Sequence, residues 1–519
     1  MIIANMTRCF NRAAAITAIL AAISPGSCQQ STRTVNIQET SPSDVSKKVD
    51  PSFPGFAFEE SSFYAYSFDA QGKPNSFSQN IVNSVLSRTG GTPLLRVGGT
   101  SGDHGLFNAS QKDPTNFPAT KSSPPLKDGV TLGPSFFNAF DNWPGAKFEF
   151  MVPFKNTSYS HTLEWAKTGM SHIGNESLYA LEIGNEPNFY SWFKSGHAAE
   201  YVKRYTNLQN ELKQSIPSLN GPKKFQALDT ASGDATGLTA KDAFENGLSK
   251  VASSIKQVGF HYYQGHGPKT LSELQDWVRH STTVDKMKTY TPNIEYLQNN
   301  YEDVDFAITE VGYNVGGNKQ AGETLDSNLA TALWALDFQL YCMTVNVKRV
   351  NWQQILTASL NMWRAVDSKA GPATVSANFY SQPFVADFIS KGGNTQVAKL
   401  DVGDDLNGTL TAYAAYESSK LARIALLNLD LWTSQNGTRN PVDFTLKGLP
   451  GTSKQAKVHH LSAPGGALAK DGLTYAGLQW TKESNGIGQQ ARNDSSVLEL
   501  NGTDVTVRVN ATSALMIVL

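Results

Sequence analysis

The sequence predicts a (β/α)8 barrel of the α/β class followed by a C-terminal antiparallel β-sandwich. Three observations carry this expectation: eight apolar runs, helical periodicities between them, and a change of texture near Ser390. The runs are Gly55–Phe63, Pro93–Gly99, Lys147–Phe154, Leu178–Glu186, Phe225–Ser232, Ile255–Tyr263, Asp305–Gly312 and Arg349–Gln354. Parallel strands covered on both faces by helices read as such near-continuous runs. Between them, Tyr201, Tyr205, Leu208, Leu212 and Ile216 recur at helical spacing, as do Leu325, Leu329, Leu333, Leu336 and Leu340. A doubly wound open sheet is the alternative. The Gly98-Gly99 pair lacks the G-x-G-x-x-G spacing that such a sheet normally carries.

Past Ser390 the helical period stops, and short runs such as LTAYAAYES, ARIALLNLDL and VDFTLKGL follow between NG, GG and PG turns. That pattern reads as a β-sandwich. The expected division is a leader over 1–28, a barrel over 50–388 and a sandwich over 389–519. Thr34–Gln38 (TVNIQ), within 30–49, is a candidate extra strand for the sandwich.

The leader is read from Arg8 and Arg12, the apolar run Ala13–Ile23 and the small residues after it. This is the build of a secretory signal peptide, and an eleven-residue apolar run is too short to span a bilayer core of about 30 Å. Two of the three cysteines, Cys9 and Cys28, lie in or at the edge of the leader. The third, Cys342 in LDFQLYCMTV, is expected to be a small buried hydrophobe. No disulfide framework or metal-spaced Cys/His cluster exists, and the sequence implies no cofactor. Eight N-x-Ser/Thr triplets follow the leader, at Asn108, Asn156, Asn175, Asn407, Asn436, Asn493, Asn501 and Asn510. In an exported chain these are expected glycosylation sites. With 44 basic against 45 acidic residues the formal charge is −1, which gives no footing for nucleic acid. Neither a membrane partner nor an oligomeric state is implied.

In a parallel barrel, chemistry sits at the C-terminal strand ends, so the polar residues closing each run are the candidates. These are Arg96 and, just beyond it, Asp103; Asn185 and Glu186; His261 and Tyr263; Glu310; and Trp352. Glu186 and Glu310, from the fourth and seventh strands, are placed to face each other. Glycosidic cleavage needs one carboxyl to protonate the leaving oxygen and another to attack or to activate water. Arg96 and Tyr263 would keep the attacking carboxylate ionised and oriented. Trp352 reads as a core aromatic or a sugar platform, His261 as a site residue or a satisfied core histidine. Glu182 is expected to be structural, and Glu59 and Glu60 solvated or paired.

The motifs LLRVGGTSGD, IGNEPN, HYY and TE resemble clan A retaining glycoside hydrolases. Within that clan the chain is most similar to glycoside hydrolase family 79, the β-glucuronidase and heparanase family, from about Gly55 onward. The resemblance implies Glu186 as acid/base, Glu310 as nucleophile, Asn185 on the sugar 2-hydroxyl and Asp103 on hydroxyls farther round the ring. It implies His261 and Tyr263 near the nucleophile, and the backbone of Gly316 and Gly317 on a uronate carboxylate. One departure is Val315, where the family typically has a tyrosine contacting that carboxylate. The implied activity is that of a secreted retaining exo-β-glycosidase, a β-glucuronidase acting on glucuronic or 4-O-methylglucuronic acid. Alternatives are a neutral-sugar β-glucosidase or β-galactosidase, an endo-acting heparanase-like hydrolase, and a carbohydrate-binding protein on a degenerate barrel.

Overall fold

The computed structural model describes residues 31–117, 129–155, 159–193, 196–232, 237–315, 325–435 and 437–519. The leader, Asn156, Gly316, Gly317 and Asn436 lie outside the described residues. Eight parallel strands close into a barrel in chain order. They are β1 Pro54–Glu59, β2 Leu94–Gly98, β3 Lys147–Val152, β4 Leu178–Ile183, β5 Phe225–Thr230, β6 Ile255–Gly265, β7 Asp305–Asn314 and β8 Val350–Gln354. The expected first run is too long. β1 stops at Glu59 and residues Glu60–Ser67 form a helix that buries Phe63 and Tyr66.

The helix Ala198–Ser215 buries the expected face of Tyr201, Tyr205, Leu208 and Leu212. The helix before β8 runs Leu329–Thr344, so Leu325 precedes it. Asn328 and Thr331 cap its start reciprocally, at 3.0 and 2.9 Å. Nearly every side of this helix is buried, because the barrel lies on one flank and the C-terminal sheet on the other. Cys342 lies within it, free and fully buried.

The barrel interior is polar where such interiors are usually filled by branched apolar residues. Glu149 accepts from Asn351 Nδ2 at 2.7 Å and from Gln257 Nε2 at 2.9 Å. Gln257 also donates to Gln226, and Gln226 donates to Glu182 Oε2 at 3.1 Å. Glu182 in turn holds Arg96. Unpaired, these groups would each cost several kcal/mol to bury; the chain of partners removes most of that cost.

Strand parity decides which residues reach this interior. On β8, Asn351 and Gln353 point inward, to Glu149 and Glu59. Trp352 points outward, edge-on to Trp334 at 5.7 Å and near Phe338 at 6.5 Å. It is 1% exposed and packs against the Leu329–Thr344 helix. Trp352 is therefore not a substrate platform. It is a core residue on the wrong parity to reach the barrel mouth.

Two antiparallel assemblies follow the barrel. A nine-stranded sheet includes Thr395–Leu400, Leu410–Glu417, Lys420–Asn428, Gln455–Ser462 and Ser513–Val518. A three-stranded sheet joins Pro441–Lys447, Asp504–Asn510 and the N-terminal strand Ser31–Asn36, which pairs in parallel with Pro441–Lys447. Ala412, Ala414, Ile424, Leu426, Leu515 and Ile517 face the small sheet, making one core with Val35, Phe444 and Val507. The alternate residues Tyr413, Ala415, Ala425, Leu427 and Met516 belong to the barrel's core. The large sheet is thus a shared wall. A buried bond set fastens it, with the Tyr413 hydroxyl donating to Asp337 at 2.6 Å and His280 Nδ1 3.0 Å from the same carboxylate.

Candidate active site

Arg96, buried in the middle of β2, organises the mouth of the barrel. Its Nε and Nη2 donate to the two oxygens of Glu182 at 3.0 and 2.6 Å, a fork-to-fork pairing that fixes the guanidinium plane. Nη2 also reaches Asn185 Oδ1 at 2.8 Å, and Nη1 reaches Glu310 Oε2 at 2.6 Å. Glu182 is thus structural in the sense expected: it aims the arginine.

Glu310, in the middle of β7, is held on both oxygens, since the Tyr263 hydroxyl donates to Oε1 at 2.5 Å. Burial raises its pKa, but the charges of His261 and Arg96 and these hydrogen bonds outweigh burial and leave it below the ordinary carboxyl value. His261 is fully buried. Burial would lower its pKa; the Glu310 charge and the bond to Glu186 raise it beyond the ordinary value.

β4 ends at Ile183, and the next three residues make the turn that presents Glu186. Gly184 has φ 80°, and a Cβ there would meet Phe154 and the Tyr190 hydroxyl at 2.6 Å, so only glycine fits. Glu186 itself has φ 50° and starts a short 3-10 turn over Pro187–Phe189. Its carboxylate meets His261 Nδ1 at 3.1 Å, with the side chain 22% exposed against 8% for Glu310. One oxygen of each carboxylate and a ring nitrogen of His261 all lie within 4.8 Å of one another. Among the described residues this is also the group whose donor atoms could converge on a cation. The Arg96 guanidinium already neutralises Glu310 there, which disfavours a second cation.

Asn185 is fixed in orientation by its Oδ1 bond to Arg96, leaving its amide hydrogens for Thr100 Oγ1, at 3.4 Å, and for a ligand. Asp103 sits at the edge of the group in a short helical turn. Its Oδ1 accepts the backbone N–H groups of Phe154 and Lys155 at 2.8 and 3.1 Å, so it joins the β2 and β3 loops. The Tyr190 hydroxyl, which accepts the Asn185 N–H at 3.1 Å, hydrogen-bonds the same buried carboxylate.

Glu59 and Glu60, expected to be solvated or paired, and Asp229, not singled out in the sequence, lie in or beside the site. Glu59, at the end of β1, is buried and accepts from Ser101 N–H at 2.6 Å and Gln353 Nε2 at 3.0 Å. Burial and the Glu310 charge push its pKa up to about 7. Glu60 is fully buried with neither carboxyl oxygen hydrogen-bonded, and burial with the Glu59 charge holds its pKa well above the ordinary value. Neither is solvated. Asp229, near the end of β5, lies 3.9 Å from His261 Nε2. The strand-end rule, applied to FQALDT, would have found it.

Val315 is 42% exposed and caps β7, its N–H donating to Gly265 carbonyl at 2.8 Å. The acceptor-site residues Asn108, Asn175, Asn407, Asn493, Asn501 and Asn510 are all exposed. Among the described residues no helix is long and apolar enough to cross a membrane.

Comparison with known proteins gives this geometry its context. Residues 412–516 match the family model described as the glycosyl hydrolase family 79 C-terminal beta domain. A β-glucuronidase from Aspergillus niger is 25% identical over 498 residues, covering 88% of this chain and 87% of its own. Another from Neurospora crassa is 26% identical over 504 residues, covering 87% and 88%. In fold, the chain resembles a 4-O-α-L-rhamnosyl-β-D-glucuronidase from Fusarium oxysporum, with TM-score 0.77, 20% identity and coverage of 94% and 100%. The protein is a glycoside hydrolase. Its residues 412–516 are similar to the C-terminal β domain of glycosyl hydrolase family 79, and the chain as a whole resembles β-glucuronidases.

Proposed function

We propose that this protein is an exported, glycosylated, retaining exo-β-glucuronidase that releases terminal β-linked glucuronic acid or its 4-O-methyl form. The observation that carries the mechanism is the approach of the Glu186 and Glu310 carboxylates to within 4.8 Å. Retaining pairs lie about 5–5.5 Å apart, whereas inverting pairs need roughly 6.5–9.5 Å to admit a water. Glu310, ionised by Arg96 and Tyr263 and almost shut off from solvent, is suited to attack the anomeric carbon. Glu186, on the open side, is suited to protonate the leaving oxygen and later to deprotonate the incoming water. Asn185, aimed by Arg96, would meet the 2-hydroxyl, with Asp103 farther round the ring.

The sugar assignment rests on the two β-glucuronidase relatives. A specific observation favours a second reading, a neutral-sugar β-glycosidase. Val315 offers no hydrogen bond from its side chain, and Arg96 is already committed to Glu182 and Glu310. The test is a panel of aryl β-glycosides bearing glucuronate, 4-O-methylglucuronate, glucose, galactose and xylose, with the product anomer followed by NMR. Turnover of a uronate with β-product first supports the proposal; turnover of neutral sugars alone rejects the substrate, and α-product rejects the mechanism. Glu310→Gln and Glu186→Gln should each cut hydrolysis by at least about a thousandfold while leaving the fold intact.

A further inference from the structure

β7 carries a glycine that its backbone does not need. Gly312 lies two residues past Glu310 in the extended strand, and its φ is outside the left-handed region. A glycine inside a strand weakens it and often marks a place where another group comes close. Here that group is the ring of Tyr263. A Cβ on Gly312 would stand 2.7 Å from Tyr263 Cε1 and 3.1 Å from Cδ1, with Leu360 Cδ2 bounding the same space at 3.5 Å. Leu360, on the loop after β8 and 3% exposed, makes that side packed rather than open. The strand register explains the closeness. On β6 and β7, His261 pairs with Glu310 and Tyr263 with Gly312. Tyr263 therefore stands opposite a position two residues beyond the carboxylate it serves. To donate to Glu310 Oε1 its side chain leans back along β7, across the space that a Gly312 side chain would fill.

We propose that Gly312 is a positioning residue for the nucleophile: its missing side chain is the clearance through which the Tyr263 hydroxyl reaches Glu310. The inference rests on the reading of Glu310 as nucleophile. A carbon 2.7 Å from the ring cannot be tolerated in place, so one partner must move. β7 is hydrogen-bonded on both sides, to β6 and to β8, within a closed barrel, which makes the ring the partner that yields. A ring moved off β7 takes its hydroxyl with it. Glu310 then keeps Arg96 on Oε2 and loses the donor on Oε1. Burial and the Glu310 charge hold the phenol well above its ordinary value, so Tyr263 acts as a donor and what is lost is one hydrogen bond to a charged group. The other titratable groups facing Glu310 are Arg96 on β2, His261 on β6, Glu186 beyond β4 and Glu59 on β1. None of them supplies the atoms nearest the Gly312 clearance, which belong to Tyr263 and Leu360.

Gly312→Ala tests this, with kcat/KM followed against pH on whichever 4-nitrophenyl β-glycoside of the panel is turned over. The acid limb should move upward by at least about half a pH unit, toward the position it takes in Tyr263→Phe. In the Tyr263→Phe background no hydroxyl is left to displace. Adding Gly312→Ala there should leave the limb within about 0.3 unit and the plateau of kcat/KM within about threefold. An unmoved acid limb in Gly312→Ala overturns the inference. So does an equal loss of kcat/KM in both backgrounds, because a methyl that merely crowds the substrate or loosens β7 acts with or without the hydroxyl. Should Gly312→Ala fail to fold, Tyr263→Ala should restore its folding by removing the ring; a double variant still unfolded by circular dichroism overturns the inference as well. Full activity of Glu310→Gln would instead refute the underlying reading of the nucleophile.

Discussion

The bond from Tyr263 to Glu310 gives a sharp prediction. Tyr263→Phe keeps the ring and deletes only the hydroxyl that donates to Glu310 Oε1 at 2.5 Å. A hydrogen bond to a charged group contributes about 1.5–3 kcal/mol, and one pKa unit corresponds to about 1.4 kcal/mol. Glu310 is buried, with little solvent to replace the lost donor, so its pKa should rise by about 1–2 units. Glu310 now sits below the ordinary carboxyl value and must be ionised to attack. Raising that value moves the acid limb of kcat/KM toward higher pH by the same interval. The assay is kcat/KM against pH with an activated aryl β-glucuronide, the profile being that of the coupled pair with Glu186. An acid limb within a few tenths of a unit of the wild type would refute the reasoning, as would a shift to lower pH.

Other expectations follow from single residues. Glu59 keeps a proton in the folded state from the ordinary glutamate value up to about 7, whereas the unfolded chain releases it, so stability falls as pH rises through that window. Glu59→Gln should remove up to about 3 kcal/mol of that decline, visible as a denaturation midpoint that gains on the wild type between pH 5 and pH 8. Tyr413→Phe removes the donor to Asp337 and should cost about 1.5–3 kcal/mol by urea unfolding with kcat/KM retained. Trp352→Phe should lower the thermal midpoint and leave KM within about twofold; a large KM rise would return Trp352 to the pocket.

Much of this was legible because barrel chemistry collects at strand ends, and runs such as LEIGNE and AITEVG announce those ends by a carboxylate after an apolar stretch. What failed was parity. Trp352 and Gln353 are neighbours on β8, and only the closed barrel tells which one faces in. Glu59 was hidden because FAFEESSF runs without a break from strand into helix. Asp229 was passed over because its partners, Gln226, Thr309 and His261, come from three strands. The polar interior was unreadable for the same reason: Glu149, Gln257 and Asn351 each look like a strand defect until they are brought together.

The pairing of Ser31–Asn36 with Pro441–Lys447 has a consequence for biosynthesis. The first strand of the described chain finds its neighbour only after the ribosome has made the whole barrel. Until then it trails as an unsatisfied edge, and the barrel's flank waits for the wall that Tyr413 and Met516 will close. Vectorial folding therefore cannot finish at the front end. The pairing of Ser31–Asn36 waits for Pro441–Lys447, and a nascent chain stalled before residue 441 should be held by chaperones rather than released folded.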